Sequence, residues 1–409
     1  MNRGLTASIP AAAILCGLLS APAWAQETRA ALLERERAEK AQRVAAYTPT
    51  RLEKALLYVE RVDPLTRISP HNGFYVDYGY TRKPIGAGIG LSTGFRHDVF
   101  DRHARVDVEA GMSIKKYQLL RADFSLPYLF EERLELGVEG SYRHNPQEDF
   151  YGPGPSSLKD NRVSFLYDGR EVQARAVVKP VRWLRLGSRF GILNPSIGRG
   201  TDSKYPSIED LFGEAQAPGL TAQPDYAYGD LFAAVDTRDQ PGNARDGGYY
   251  EVALRRYRDR EADRFGFRRV DLDLQHFFPI FDKKRVIAAR VRVISTAAPA
   301  GEDVPFYFQP TLGGSDSLRS YGDHRFRDRN VMFLNAEYRW EAFSGLDMAL
   351  FSDWGKVAPR TRDLKLSALQ HAYGIGFRFN TYKAVFFRAD IATGGDDGIR
   401  FFLKFSKAF

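Results

Sequence analysis

Residues 313–355 read GGSDSLRSYGDHRFRDRNVMFLNAEYRWEAFSGLDMALFSDWG. A loop rich in Gly, Ser and charge is followed by two runs with a two-residue period. In the first, Met332, Leu334, Ala336, Tyr338 and Trp340 alternate with Asn335, Glu337, Arg339 and Glu341. In the second, Leu346, Met348, Leu350 and Trp354 lie on one face and Asp347, Phe351 and Asp353 on the other. Successive strand side chains point to opposite faces, so each run predicts a strand with one apolar and one polar side.

Working outward, the same pattern recurs. Strand-like runs separated by Gly, Pro, Asn or Asp turn signals fall at about 73–81, 86–97, 104–114, 117–127, 134–143, 162–179, 182–193, 226–236, 248–258, 266–278 and 285–295. They continue at about 330–341, 345–355, 371–380, 383–392 and 399–409, sixteen in all, with the 162–179 run readable as two strands. Many are ~10–12 residues long, enough to cross a bilayer when tilted. Short connections (81–86, 114–117, 179–182, 341–345, 380–383) contrast with long ones (143–162, 193–226, 295–330, 355–371). A barrel with short periplasmic turns and long extracellular loops has that asymmetry. The last run carries Phe401, Leu403, Phe405 and the terminal Phe409 on one face, the form of signal that outer-membrane assembly reads. The expected fold is all-β, a sixteen-stranded antiparallel transmembrane barrel.

The start of the chain has a different character. Arg3, an apolar stretch from Ile9 to Leu19 and Ala23-Trp24-Ala25 predict a cleaved export signal over residues 1–25. The apolar stretch is shorter than the ~20 residues that a spanning helix needs. Cys16, the only cysteine, lies inside it, so the exported protein is expected to form no disulfide. Residues 26–70 are rich in Ala, Glu and Arg and read as a short helical periplasmic segment, able to plug the mouth of the barrel or to dock a partner. The barrel is expected over 71–409. The formal charge of +8 comes from basic residues that alternate along strands without clustering, which favours a basic lumen or an anionic lipid surface over nucleic acid.

The loop motif Leu318-Arg319-Ser320-Tyr321 resembles the tip of the inward-folding sixth extracellular loop of the BamA-like surface antigen superfamily, with Ser320 where the family has Gly. Phe351, Asp353 and Gly355 match its F-x-D-x-G run. The stretches DTRDQPGNARDGGYYEV at 236–252 and DFYGPGPSS at 149–157 resemble two further family segments. The superfamily contains the barrel-assembly insertase and the transporters of two-partner secretion. The resemblance implies an outer-membrane protein of a Gram-negative-type bacterium, acting in insertion, assembly or translocation of protein or lipid. Residues 26–70 leave little room for periplasmic POTRA modules, so the likeness is to a short branch without them. Its implied partners are outer-membrane lipid, including lipopolysaccharide, the barrel-assembly machinery for its own insertion, and a periplasmic protein in place of those modules. The resemblance also implies that Asp353 receives Arg319 inside the barrel.

Physics points the same way. A sixteen-stranded lumen is wide enough for a channel unless filled. Loop 296–330 carries Asp316, Arg319, Asp323, His324, Arg325, Arg327, Asp328 and Arg329, and Arg290, Glu337, Arg339 and Asp353 stand on strand faces as candidate partners. A passive or gated pore plugged by this loop is the alternative to an insertase working through the seam between strands 73–81 and 399–409, near Gly394, Gly395 and Gly398. No enzyme is expected. Gly313-Gly314-Ser315-Asp316-Ser317 lacks nucleophile-elbow spacing. His97 and His103, six apart in an expected loop, make a poor metal pair, and no spacing calls for a cofactor.

Overall fold

The computed structural model describes residues 71–78, 87–101, 103–381 and 384–404, together with the single positions Glu34, Arg51, Lys54 and Tyr58, which are helical. The expected leader and most of the 26–70 segment lie outside the described residues. The chain divides into two compact units, 1–54 and 55–409, and every strand described below lies in the second.

The strands are β1 (Gly73–Tyr78), β2 (Gly90–Val99), β3 (Ala104–Ser113), β4 (Gln118–Tyr128), β5 (Leu134–Phe150), β6 (Val163–Val181), β7 (Leu184–Arg199), β8 (Tyr226–Asp236) and β9 (Gly247–Asp259). They continue as β10 (Phe267–Ile280), β11 (Arg285–Ala297), β12 (Thr311–Leu312), β13 (Phe326–Arg327), β14 (Asn330–Phe343), β15 (Leu346–Ala358), β16 (Gln370–Asn380), β17 (Val385–Thr393) and β18 (Arg400–Lys404). All but β12 and β13 form one antiparallel sheet of sixteen strands in chain order. β12 and β13 pair with each other inside the long loop. The 162–179 run is one strand of 19 residues, with a register shift near Val178.

Burial follows the strand period and is inverted relative to a water-soluble sheet. Along β4, Arg121, Asp123 and Ser125 are buried while Leu120 and Phe124 are 54% and 42% exposed. The polar face satisfies itself across strands: Arg189 and Arg255 share Asp230, Arg290 pairs with Asp273, and Arg292 with Asp271. A face that buries charge and exposes Leu and Phe suits a strand with lipid outside and a lined interior. Arg290, a candidate partner for the loop, forks onto Asp273, and its charge also acts on Asp316 of the loop.

Two expectations need correction. Because each strand reverses direction, strand count decides at which end a connection falls. Connection 114–117 therefore opens at the same end as the long loops, despite its length. His97 lies within β2 rather than in a loop. At the seam, no ladder joins β1 to β18 among the described residues, and the strand order runs open from one to the other. Only 6 residues of β1 and 5 of β18 are described, with 79–86 and 405–409, including Phe405 and Phe409, outside the described residues.

If the exposed apolar face contacts lipid, Leu231→Lys at the middle of β8 should cost about 2–4 kcal/mol in a urea titration of folding into vesicles. Leu231→Phe should leave the midpoint near wild type.

Candidate functional site

The loop between β11 and β14 folds into the interior, and its tip is the hairpin β12–β13 with residues 313–325 at its turn. Leu312, Leu318, Tyr321 and Phe326 of the loop pack with Val331, Phe333, Val357 and Ala372 of the wall. This apolar anchor is absent from a reading that weighed only the charges of the loop. It arises because β14 and β15 turn Val331, Phe333 and Val357 inward at the end where the loop enters.

Arg319 lies at the centre of the polar contacts. Its Nε donates to Asp353 Oδ2 at 2.8 Å and its Nη2 to Oδ1 at 2.6 Å, while its backbone N–H reaches Oδ2 at 3.2 Å. Its Nη1 donates to Glu337 Oε1 at 2.5 Å. The guanidinium also stacks over Phe351, 3.5 Å from the ring centroid. Arg319 is 2% exposed and Asp353 fully buried. Two carboxylates and a ring face thus offset the desolvation of one guanidinium that cannot be neutralised.

The contacts extend across strands. Glu337 also accepts from Arg378 Nη2 at 2.9 Å and Arg339 Nε at 2.7 Å. Arg378 donates to Asp390 Oδ1 at 2.5 Å, and Arg388 Nε lies 3.0 Å from Asp390 Oδ2. Arg388 returns to the loop through Ser315 O at 2.6 Å, and Lys404 reaches Asp316 Oδ2 at 2.6 Å. The tip is thereby tied to β14, β15, β16, β17 and β18. Desolvation raises the Asp316 carboxyl, but Lys404 and Arg388 outweigh it and hold the group below the ordinary carboxylate range. Arg378, Arg388, Asp390 and Lys404 were visible in the sequence only as alternate charges, because their meeting depends on strand register.

The remaining motif residues have distinct places. Gly355 leaves room for the loop: a Cβ there would lie 2.9 Å from Leu312 Cδ1. Ser320 is absent from the residues with positive φ, so serine meets no backbone strain there. Its hydroxyl donates to His371 O at 3.3 Å. Tyr321 donates to Gln370 Oε1 at 2.8 Å and packs on Gly395, where a Cβ would fall 2.5 Å from the ring. Gly395 thus admits the loop tip. Phe401 and Leu403 point outward, 71% and 66% exposed.

The segment at 149–157 holds the loop from another side. Arg325 donates to Ser157 O at 2.8 Å and Oγ at 3.0 Å, and Gly154 N–H donates to Arg327 O at 2.8 Å. Phe150 and Phe165 pack against Phe306 at the base of the loop. The stretch after Asp236 straps the opposite end of the sheet. Asn243 donates to Thr381 O at 3.0 Å, Val385 N–H to Gly242 O at 3.0 Å, and Arg245 Nη2 lies 2.8 and 2.9 Å from the two carboxylate oxygens of Asp347. The turn between β8 and β9 thereby meets the turn between β16 and β17.

Removing one partner of a buried ion pair costs about 3–5 kcal/mol. Arg319→Ala should lower the melting temperature and admit protease to the 296–330 loop, with Arg319→Lys intermediate because lysine cannot fork onto Asp353. Gly395→Val should release the loop without removing a charge, through Tyr321. The Asp316 contribution should hold above the ordinary carboxyl pKa of 3.8 and fade as pH falls. Asp316→Asn lacks that contribution at every pH, so its loop should be more open to protease than wild type near neutrality, and the difference should shrink as pH falls through the carboxyl range.

No curated protein matches the chain. Residues 217–408 match the Omp85 superfamily domain. Among solved structures, BamA from Haemophilus ducreyi lacking POTRA domains 1–3 is similar with a TM-score of 0.60 at 14% identity, covering 81% of this chain and 69% of that one. CdiB from Escherichia coli is similar with a TM-score of 0.50 at 13% identity, covering 81% of this chain and 61% of that one. At such identities the likeness is one of fold. With sixteen antiparallel strands and an inward loop in hand, residues 217–408 are an Omp85 superfamily domain within a sheet whose fold is BamA-like.

Proposed function

We propose that this protein acts at the outer membrane in insertion, assembly or translocation of protein or lipid, working through the seam between β1 and β18. The observation that carries this reading is the buried ion cluster that joins the loop tip to β14–β18. Lys404 of the terminal strand belongs to it, through Asp316. A loop bolted to the strands that end at the seam is a fixed inner wall against which the other edge can move. In this reading residues 1–25 are a cleaved leader, and residues 26–70 dock a periplasmic partner or cover the mouth.

A passive or gated pore is the second reading, favoured by a chamber of about 1140 Å³ beside the loop, lined in part by Arg185, Arg269 and Arg327, with Arg292 there already paired to Asp271. Such a lining suits small anions.

The two readings separate in planar bilayers and vesicles. The insertase reading expects a small, flickering conductance that grows in Arg319→Ala. It also expects purified wild-type protein in vesicles to speed folding of an unfolded outer-membrane barrel several-fold, an effect reduced in that variant. A large steady conductance, unchanged by the substitution and without any acceleration of folding, would leave only the pore.

A further inference from the structure

Three arginines at the long-loop end of β9 and β10 face away from the lumen. The outward positions of β9 run Val252, Leu254, Arg256 and Arg258, and those of β10 begin with Arg268 and Val270, all exposed. Val270 sits opposite Leu254 and Arg268 directly opposite Arg256. On the other side Arg256 faces Gly229 and Arg258 faces Ala227 of β8. An apolar belt therefore gives way to a cationic rim within one cross-strand step.

Like charges directly opposite on a ladder repel. Within the lumen that problem is solved by carboxylates: Arg255 reaches Asp230 at 2.6 Å and Arg290 reaches Asp273 at 2.6 Å. Among the described residues no carboxylate pairs with Arg256, Arg258 or Arg268. The nearby acids are engaged by their own loop. Asp259 accepts the N–H groups of Glu261, Ala262, Arg264 and Phe265, and Glu302 accepts that of Gly266 at 2.7 Å. Asp259, Asp263 and Glu302 still border the cavity as charged groups, the first and last turned to those backbone N–H groups, and none of the three forms an ion pair with Arg256, Arg258 or Arg268. The arginines border a cavity of about 750 Å³ whose small-residue floor is Ala227 and Gly229, with Phe190 beside it.

We propose that this outward cavity holds the phosphorylated headgroup of an outer-leaflet glycolipid, with acyl chains lying along Leu231, Leu254 and Val270. Guanidiniums pair with phosphate through forked hydrogen bonds and are weakly hydrated, which suits a site at the edge of lipid. The bridging phosphate would relieve the Arg256–Arg268 repulsion. A lipid also explains why the cations sit at the head of a continuous apolar strip, which a soluble phosphate would not need. The inference rests on the outer-membrane location and stands whether the protein inserts clients or conducts solutes.

The test is titration of the purified, folded full-length protein in detergent with bisphosphorylated lipid A and with the same lipid after its phosphates are removed. Bound lipid is counted by native mass spectrometry. Wild type should bind the phosphorylated form about tenfold tighter or better, as expected for several charge-assisted contacts. Arg256→Gln/Arg258→Gln/Arg268→Gln should lose that preference while keeping the heat-modifiable gel mobility of a folded barrel. Inorganic phosphate at the same concentration should not displace the lipid. Equal affinity of wild type for the two lipids overturns the proposal without reference to any variant. Undiminished preference in the triple variant overturns it as well, and displacement by inorganic phosphate would reassign the site to a soluble anion.

Discussion

An arginine cannot shed its proton at any ordinary pH, so burying one obliges the surroundings to supply negative charge. Arg319 enforces that condition at the tip of the inward loop. Asp353 answers it with both carboxylate oxygens, Glu337 with a third, and Phe351 with its ring face. Glu337 in turn draws in Arg339 and Arg378, and Arg378 draws in Asp390. One buried cation thereby sets the positions of charged residues on four successive strands.

The cluster is possible only because the sheet is inverted. Its inner face is rich in Arg, Asp and Glu and its outer face in Leu, Val and Phe, so a charged loop enters among its own kind. Cross-strand pairs such as Arg290–Asp273 keep that face close to neutral before the loop arrives. The basic excess of the chain is left partly in the chamber beside the loop and partly on the outer rim of β9 and β10. Both locations differ from the alternating, self-paired wall, and both are where an anion from outside the chain can be accommodated.

Charge does not hold the loop alone. Leu312, Leu318, Tyr321 and Phe326 form an apolar contact with the wall, and Gly355 and Gly395 admit two of those side chains by lacking a Cβ. Burial of this apolar surface supplies attraction without direction, while the forked Arg319–Asp353 contact supplies register. The segment at 149–157 grips the loop through Arg325 from elsewhere on the wall. A plug secured from several sides moves as a unit or not at all, which directs attention to the seam as the adjustable part.

Local chemistry was enough to reveal the sixteen strands, the length of the loop, the polar face of Asp353 and the resemblance carried by Leu318–Tyr321, because strand periodicity and short motifs are written into neighbouring residues. It was not enough to reveal where the strands stop: β5 and β7 run on into what reads as loop, since hydrogen bonding to a neighbouring strand extends them past their alternation. Nor could it pair Arg378 with Glu337 and Asp390, commit Arg290 to Asp273, or give Gly395 to Tyr321. Those contacts join residues 41, 12, 17 and 74 positions apart in the chain. A one-residue slip of register would turn each side chain to the opposite face. Which residues are charged and which alternate is a property of the chain alone; which charge meets which is decided by the register of the assembled sheet, because only there do separate strands share one interior face.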